Sequence, residues 1–531
     1  MARQPVIDKN KKRGDTSVFW DKLLFVCVLV LLQCGFFIYT CLQLQEKYII
    51  LQSVMSFVSL LVVLYIINRP MNPAYKLAWC IPILLAPIFG GFFYLLLSVN
   101  ETRRKFRREI REAVSESKGH LHQDRALLEE IHDTNRHSLP QAEYIYNMAK
   151  YPLYKDTRTM YFSDGDEYYA QLLEELKKAK HFIFLEFFII QEGVFWNSIL
   201  DILTKKVAEG VEVKVIYDDM GSLRTLPPDY FLQLQDIGIE THRFNPVNAS
   251  LSLRQNNRDH RKIIVIDGYT SFTGGINLAD EYINKQQRIN GYWKDTGVML
   301  KGAATWSFTV MFLQFWQYLD KAPVDYEKYH LNEEELAQYK KEDSPKLHSD
   351  GFVQPYADNP LFSEIVAENV YLNIIHRATK YIYITTPYLI VDNEMITALT
   401  LAAASGVDVR IVTPHIPDKR AIFMVTRSFY EPLTKAGVKI YEYTPGFIHS
   451  KMVVADDMYC VIGSINLDYR SLYLHFECAA FLYHSSTILE VKEDILHTIS
   501  ESAEITYEHC IALNKPYRFW LSLLRLYAPL L

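Results

Sequence analysis

The chain has 531 residues, 49% hydrophobic and 22% charged, with Lys plus Arg at 56, Asp plus Glu at 62 and a formal net charge of −6. That length allows more than one domain, and the lack of a basic excess argues against nucleic acid as a partner. The seven cysteines show neither CxxC spacing nor obvious pairing (Cys27, Cys34, Cys41 and Cys80 in or beside apolar stretches, Cys460, Cys478 and Cys510 beyond them). They argue against a zinc site or a disulfide framework.

Three uncharged apolar runs open the chain, at 23–42, 48–67 and 77–97. Each is long enough to cross roughly 30 Å of hydrocarbon as a helix. Residues 1–99 therefore read as a membrane anchor and the protein as a multi-pass protein of the cell membrane. No small-x-small cleavage pattern follows the first run, so a removed signal peptide is not expected. Arg3, Lys9, Lys11, Lys12, Arg13 and Lys22 put the N-terminus inside. Arg103, Arg104, Lys105, Arg107, Arg108 and Arg111 after the third run argue for the same side. Pro82, Pro87, Gly90 and Gly91 suit a broken, re-entrant segment. Two crossings plus a re-entrant third satisfy both basic clusters; three full crossings are the alternative. Residues 100–150 read as a charged linker with helical stretches. Its basic start either binds anionic headgroups or serves only to set topology.

The rest repeats itself. The strand-like run from His181 matches that from Lys380, Gly210 to Ile216 matches Gly406 to Val412, and Gly238-Ile239 matches Gly437-Val438, at offsets of 199, 196 and 199 residues. A near-constant offset in constant order indicates a duplicated folding unit, here 151–345 and 346–531. Each unit reads helix, strand, helix, strand and a further strand. Helices are expected at 167–180 and 198–208, strands at 182–190 and 211–217, and helices again at 363–379 and 395–404. The fold class is α/β, with two sheet-and-helix halves and a shared site between them. Phe308–Tyr318 has aromatics at helical spacing and reads as core. Arg518–Leu531 reads either as an interfacial amphipathic tail or as a packed terminal helix.

Each half carries one His-x-Lys-x4-Asp signature: His260, Lys262 and Asp267, then His449, Lys451 and Asp456. Asparagines follow at the same distance, Asn277 and Asn466. His and Lys two apart on a strand share a face. Two halves meeting thus supply two imidazoles, two ammonium groups and two amides, a set that suits a phosphodiester. Lys262, Lys451, Asn277 and Asn466 would hold the non-bridging oxygens, while one histidine attacks phosphorus and the other protonates the leaving alkoxide.

From about Tyr161 to the C-terminus these motifs resemble the phospholipase D superfamily. The stretches around Glu186, Asp219, Arg258–Lys262, Thr273–Tyr282, Trp293–Asp295 and Pro445–Lys451, with Gly90-Gly91 in the apolar N-terminus, resemble its cardiolipin synthase branch. The resemblance implies transfer of a phosphatidyl group between two phosphatidylglycerol molecules through a phosphatidyl-histidine, with His260 as nucleophile and His449 as acid. Phosphatidylglycerol and membrane lipids are the expected partners, and neither metal nor cofactor is expected. The resemblance also names supporting carboxylates: Asp295, 35 residues after His260, and Glu477, 28 after His449. Each is expected to orient the imidazole of its own motif. Asp267 and Asp456 complete the motifs as catalytic candidates, with pairing inside the core as their expected role. The family pattern has Asn where this chain has His475, which bears on Glu477 two residues later. A hydrolytic phospholipase D, a nuclease and an inactive lipid-binding protein are the competing classes. The complete motif set counts against the last, and the apolar runs count against a nuclease.

Overall fold

A computed structural model describes residues 35, 45–69, 71–85, 94, 101–135, 139–247, 256–286, 291–343 and 347–530. Contacts divide the chain into residues 1–100 with 247–253, and residues 101–246 with 254–531.

In the first unit, α1 (Gln45–Ile67) and α2 (Pro73–Leu85) bury Val62, Val63 and Ile66 with Cys80 and Ile83. The side chains of Val54, Phe57, Leu60 and Leu64 are exposed. The expected run 23–42 lies outside the described residues apart from Gly35, and 77–97 is described only at 77–85 and 94. Among the described residues, no helix is long and apolar enough to cross a membrane.

The second unit begins with α3 (Glu101–Ser117), α4 (Arg125–Asn135) and α5 (Leu139–Ala149). The first half then runs β1 (Thr157–Phe162), α6 (Gly165–Lys178), β2 (Phe182–Phe187), α7 (Val194–Ala208), β3 (Glu212–Asp218), α8 (Tyr230–Asp236), β4 (Glu240–Phe244), β5 (Lys262–Ile266), β6 (Thr270–Gly274), β7 (Tyr292–Lys294) and β8 (Gly297–Gly302). Helices α9 (Thr305–Asp320) and α10 (Glu333–Lys341) lead into the second half. That half runs β9 (Phe352–Asp358), α11 (Val366–Arg377), β10 (Tyr381–Thr385), β11 (Leu389–Ile390), α12 (Asn393–Ala404), β12 (Asp408–Pro414), α13 (Arg420–Ser428), α14 (Tyr430–Lys435) and β13 (Lys439–Tyr443). It continues through β14 (Gly446–Ile448), β15 (Met452–Ala455), β16 (Tyr459–Gly463), β17 (Leu467–Asp468), α15 (Tyr469–Tyr473), β18 (Glu477–Tyr483), α16 (Thr487–Ser500), β19 (Ser502–Ile505), α17 (Tyr507–Ala512) and α18 (Lys515–Tyr527).

The two sheets share one plan. The first is ordered β4-β3-β2-β5-β6-β8-β1 and the second β19-β13-β12-β10-β15-β16-β18-β9, so β19 is an added edge strand. In each, three parallel strands joined by helical crossovers meet an antiparallel hairpin that follows the signature histidine. Strand β2 is buried along its whole length. A sheet covered on both faces needs such unbroken apolar strands. Gly210 and Gly406 follow the crossover helices α7 and α12 with φ of +91° and +94°, a conformation that closes a helix with little strain only at glycine.

Helix α9 is buried on almost every side. Phe312 stacks on Phe184 at 4.5 Å, and Phe315 meets Phe476 edge-on at 4.8 Å. This helix is core. It ties the halves together, because Phe184 and Phe476 belong to different halves. Helix α3 docks beside it through Phe106, whose ring lies 5.5 Å from Tyr318 and 6.3 Å from Phe476.

Candidate active site

The two signature histidines lie just ahead of their strands, in segments that cross to the other half. Strand β14 pairs in parallel with β7, and the His449 N–H donates to the Lys294 carbonyl at 2.7 Å. Asp259 bridges to Phe476, and the His260 N–H donates to the Phe476 carbonyl at 2.9 Å. Each histidine is therefore registered against the residue just before a carboxylate of the opposite half.

This register corrects the expected pairing of carboxylates with imidazoles. His260 Nδ1 contacts the Glu477 carboxylate at 2.9 Å, and His449 Nδ1 contacts Asp295 at 2.6 Å. Sequence order assigns each carboxylate to its own motif; the cross-half strand pairing exchanges them. With Nδ1–H donated to a carboxylate, Nε2 of each ring is left with its lone pair.

Lys262 and Lys451 are both buried. Lys262 Nζ donates to the His260 carbonyl at 2.6 Å. Lys451 Nζ reaches the His449 carbonyl and lies 2.8 Å from His449 Nδ1. That nitrogen cannot both donate to Asp295 and accept from Lys451. The shorter, charge-assisted contact with the carboxylate takes the proton, so the lysine is a neighbouring charge.

Burial lowers the basicity of all four groups. Lys262 is pushed down to about 8 by desolvation, against the pull of Glu477 and other acidic groups. Lys451 falls to about 7, through desolvation and then through Lys262. His260 is held well below its ordinary 6.5 by burial and by Lys262, and His449 falls to about 4 through burial and Lys451. Burial pushes Glu477 up well above the usual carboxylate range. In the absence of an anion the histidines are thus neutral, which an imidazole must be to act as a nucleophile.

Asn277 is buried; its Nδ2 donates to the Tyr282 hydroxyl at 2.8 Å and its Oδ1 accepts the Ile189 N–H at 3.1 Å. Asn466 is also buried, and its Oδ1 has no hydrogen-bond partner among the described residues. Asp267 and Asp456 do not join the histidines. Each follows the far end of its strand in a left-handed turn, φ +52° and +55°. Asp267 accepts the N–H groups of Lys180, His181 and Phe182 at 2.7–2.9 Å. Asp456 accepts those of Thr379, Lys380 and Tyr381 at 2.6–2.9 Å. Both fasten the helix-to-strand loop of their half; the apolar strand between His and Asp is what separates them from the site.

Several contributors escape the motif. Ser464 donates its hydroxyl to Glu477 Oε2. The matching position in the first half is Gly275, where a Cβ would fall 2.1 Å from Asp295 Oδ1, so that residue must be glycine. The contrast between Gly275 and Ser464 at matched positions of the repeat was the available signal. Phe188 meets His260 at 5.0 Å between ring centroids, while Tyr282 and Trp293 meet His449 at 5.4 and 5.6 Å. Beneath His260, Arg261 ion-pairs with Glu186 and with Asp259 (3.1 Å). Asp218 accepts the Asp259 N–H at 3.0 Å. The second half has Ser450 and Thr385, hydroxyl to hydroxyl at 3.0 Å, in place of Arg261 and Glu186. Among the described residues, no cluster of metal-ligating side chains occurs.

The family profile described as Cardiolipin synthase, PLD-like domain matches residues 172–308 and 371–499, and one described as Phospholipase_D-nuclease N-terminal matches 57–98. A cardiolipin synthase of Alkalihalophilus pseudofirmus is 36% identical over 88% of this chain and 91% of its own length. Another, from Geobacillus kaustophilus, is 33% identical over 97% of this chain and 96% of its own. Among solved structures, a phosphatidylserine synthase of Haemophilus influenzae superposes with a TM-score of 0.55 at 16% identity, covering 74% of this chain and all of that one. At that identity the likeness bears on the fold alone.

Proposed function

The chain belongs to the cardiolipin synthase family of phospholipase-D-like proteins, and from that premise we propose that it transfers a phosphatidyl group from one phosphatidylglycerol to another, forming cardiolipin and releasing glycerol. The observation that carries the mechanism is the crossed pair of histidines, each held through Nδ1 by a carboxylate of the other half, with a buried lysine two residues further on.

In the first step His260 Nε2 attacks phosphorus, and the bond to the glycerol oxygen breaks. His449 Nε2 gives its proton to the departing alkoxide. His449 must be protonated for this, and the negative charge of the entering phosphodiester raises its depressed basicity toward that state. Lys262 and Lys451, with Asn466, hold the non-bridging oxygens as charge grows on them. Asn277, already bonded to Tyr282 and to the Ile189 N–H, contributes its remaining amide N–H. In the second step a hydroxyl of another phosphatidylglycerol attacks phosphorus and gives its proton to His449. The phosphorus–nitrogen bond breaks, and His260 is regenerated. Water in place of that hydroxyl would give phosphatidic acid, the outcome of a hydrolase.

Two labels test this. Purified protein is given phosphatidylglycerol carrying one label in the acyl chains and another in the headgroup glycerol. Cardiolipin and free glycerol in equal amounts are expected; phosphatidic acid with glycerol would assign the protein to the hydrolases.

The membrane reading belongs here as well. Three apolar runs in the first hundred residues and the N-terminal profile match at 57–98 support a multi-pass protein of the cell membrane, with the run 77–97 re-entrant. A reporter fused after Arg111 is expected on the cytoplasmic side, and labelling of that position from outside would establish three crossings instead.

A further inference from the structure

The buried side-chain atoms of this region that lack a hydrogen-bond partner among the described residues include Asn466 Oδ1, Asn257 Oδ1 and His475 Nδ1. A buried polar atom left unpaired costs stability, so each is open to a partner, whether an ordered water or a ligand group. Asn466 is set apart as a phosphate holder, a task for its Nδ2–H groups rather than for Oδ1. Asn257 and His475 have no such task, and they lie together. Asn257 Nδ2 donates to the carbonyl of Leu474, the residue before His475, at 2.8 Å. Because a carbonyl accepts only donors, this bond fixes the amide orientation and leaves Oδ1 as the free acceptor.

The His475 ring sits 5.8 Å from the His260 ring and is 8% exposed, while Asn257 is 2% exposed. The backbone holds this ring in place. The His475 N–H donates to the Arg470 carbonyl at 2.9 Å, and the neighbouring Phe476 N–H donates to the Arg258 carbonyl at 2.8 Å. His475 stays neutral: burial first and then Arg470, Lys262 and Arg258 outweigh the raising pull of the Leu474 backbone and hold it down at about 3. A neutral imidazole presents one donor and one acceptor, and so does a hydroxyl. The anionic phosphate oxygens are matched by the lysines instead.

We infer that His475 and Asn257 form a hydroxyl-binding subsite beside His260, and that it takes the free hydroxyl of an incoming vicinal diol. This rests on the two-step transfer proposed above. The headgroup glycerol of an acceptor phosphatidylglycerol carries two free hydroxyls. One attacks phosphorus, breaking the bond to His260 and giving its proton to His449. The other occupies the subsite. Water has no second hydroxyl, so the subsite favours transfer over hydrolysis.

The test uses small alcohols and the full-length protein. Phosphatidyl donor is supplied with equal amounts of 1,2-propanediol and 1-propanol, and the ratio of the two phosphatidyl products is measured. One hydrogen bond to the second hydroxyl corresponds to a preference for the diol of about tenfold. His475→Phe and Asn257→Leu are expected to bring the ratio to about one. His475→Asn, which keeps a hydrogen-bonding group, is expected to retain most of the preference. A ratio of products is insensitive to how much of a variant folds. Wild type without a preference for the diol, or a preference surviving in both His475→Phe and Asn257→Leu, would overturn the subsite. Because the ratio is read with free alcohols, it stands apart from whether phosphatidylglycerol is the natural acceptor. A protein that makes no cardiolipin yet prefers the diol would sink the proposed function and keep the subsite.

Discussion

Exchange of the carboxylates between halves has a direct consequence for mutants. In Glu477→Gln the Ser464 hydroxyl, which donates to one carboxylate oxygen, keeps the amide oxygen on its side. The amide NH₂ then faces His260 Nδ1, 2.9 Å away in the wild type. It donates to that nitrogen, drives the ring proton to Nε2 and blocks the lone pair that must attack. In Asp295→Asn the Thr296 N–H, 2.8 Å from Oδ1, likewise fixes the oxygen and turns the NH₂ toward His449. A charge-assisted hydrogen bond is worth about 1.5–3 kcal/mol, or roughly 10–150-fold. The wrong tautomer can extend the loss to about 10⁴-fold. The assay is the burst of nitrophenolate from a phosphatidyl nitrophenyl ester, whose leaving group needs no proton. Glu477→Gln is expected to behave as His260→Ala does, losing the burst. Asp295→Asn is expected to behave as His449→Ala does, keeping a burst with the activated donor while failing on the natural lipid. If Glu477→Gln instead tracks His449→Ala, each carboxylate serves its own motif and the crossed geometry does not operate in solution.

Further outcomes follow from the same site. Binding of phosphatidylglycerol to the inert His260→Ala variant is expected to weaken as pH rises between about 7 and 8, because Lys451 and Lys262 lose their protons there, and Lys451→Arg should move that loss upward. Since His260 is held well below 6.5, no acid limb of kcat/KM is expected near pH 6.5. Asp456→Ala removes the acceptor of three backbone N–H groups and should cost about 2–3 kcal/mol, read as a lowered Tm; kcat per folded molecule should change far less than in His449→Ala. Activity on phosphatidylglycerol is expected to survive EDTA, because the lysines supply the positive charge a metal would otherwise bring; loss on chelation with recovery on adding a divalent ion would contradict that.

Much of this was legible in the sequence. The constant repeat offset gave the two halves, and the helices and strands between 165 and 218 lie within a few residues of where periodicity put them, apart from an earlier start at Val194. Paired His-x-Lys signatures located the centre because their spacing repeats in both halves. The partner of each imidazole was not legible. It depends on the three-residue strands β7 and β14 and on the single Asp259–Phe476 bridge, which pair across halves, and such short pairing leaves no periodic signal. The edge-on and tilted packing of Phe188, Tyr282 and Trp293 against the histidines escaped for a similar reason, since aromatic residues on either side of a loop look alike in sequence. Glu186 and Arg261 stood inside the resembling stretches, but their mutual ion pair needed the register of β2 against β5. His475 stood out only as a departure from a pattern. Its neighbour Asn257 carried no sequence signal at all.

The most direct measurement of the account is the site of the covalent lipid. His449→Ala is mixed with the phosphatidyl nitrophenyl ester, quenched in alkali to preserve a phosphorus–nitrogen bond, digested and mapped by mass spectrometry. The account predicts one phosphatidyl adduct, on His260. An adduct on another residue, or a burst of nitrophenolate with no adduct on the protein, would contradict it.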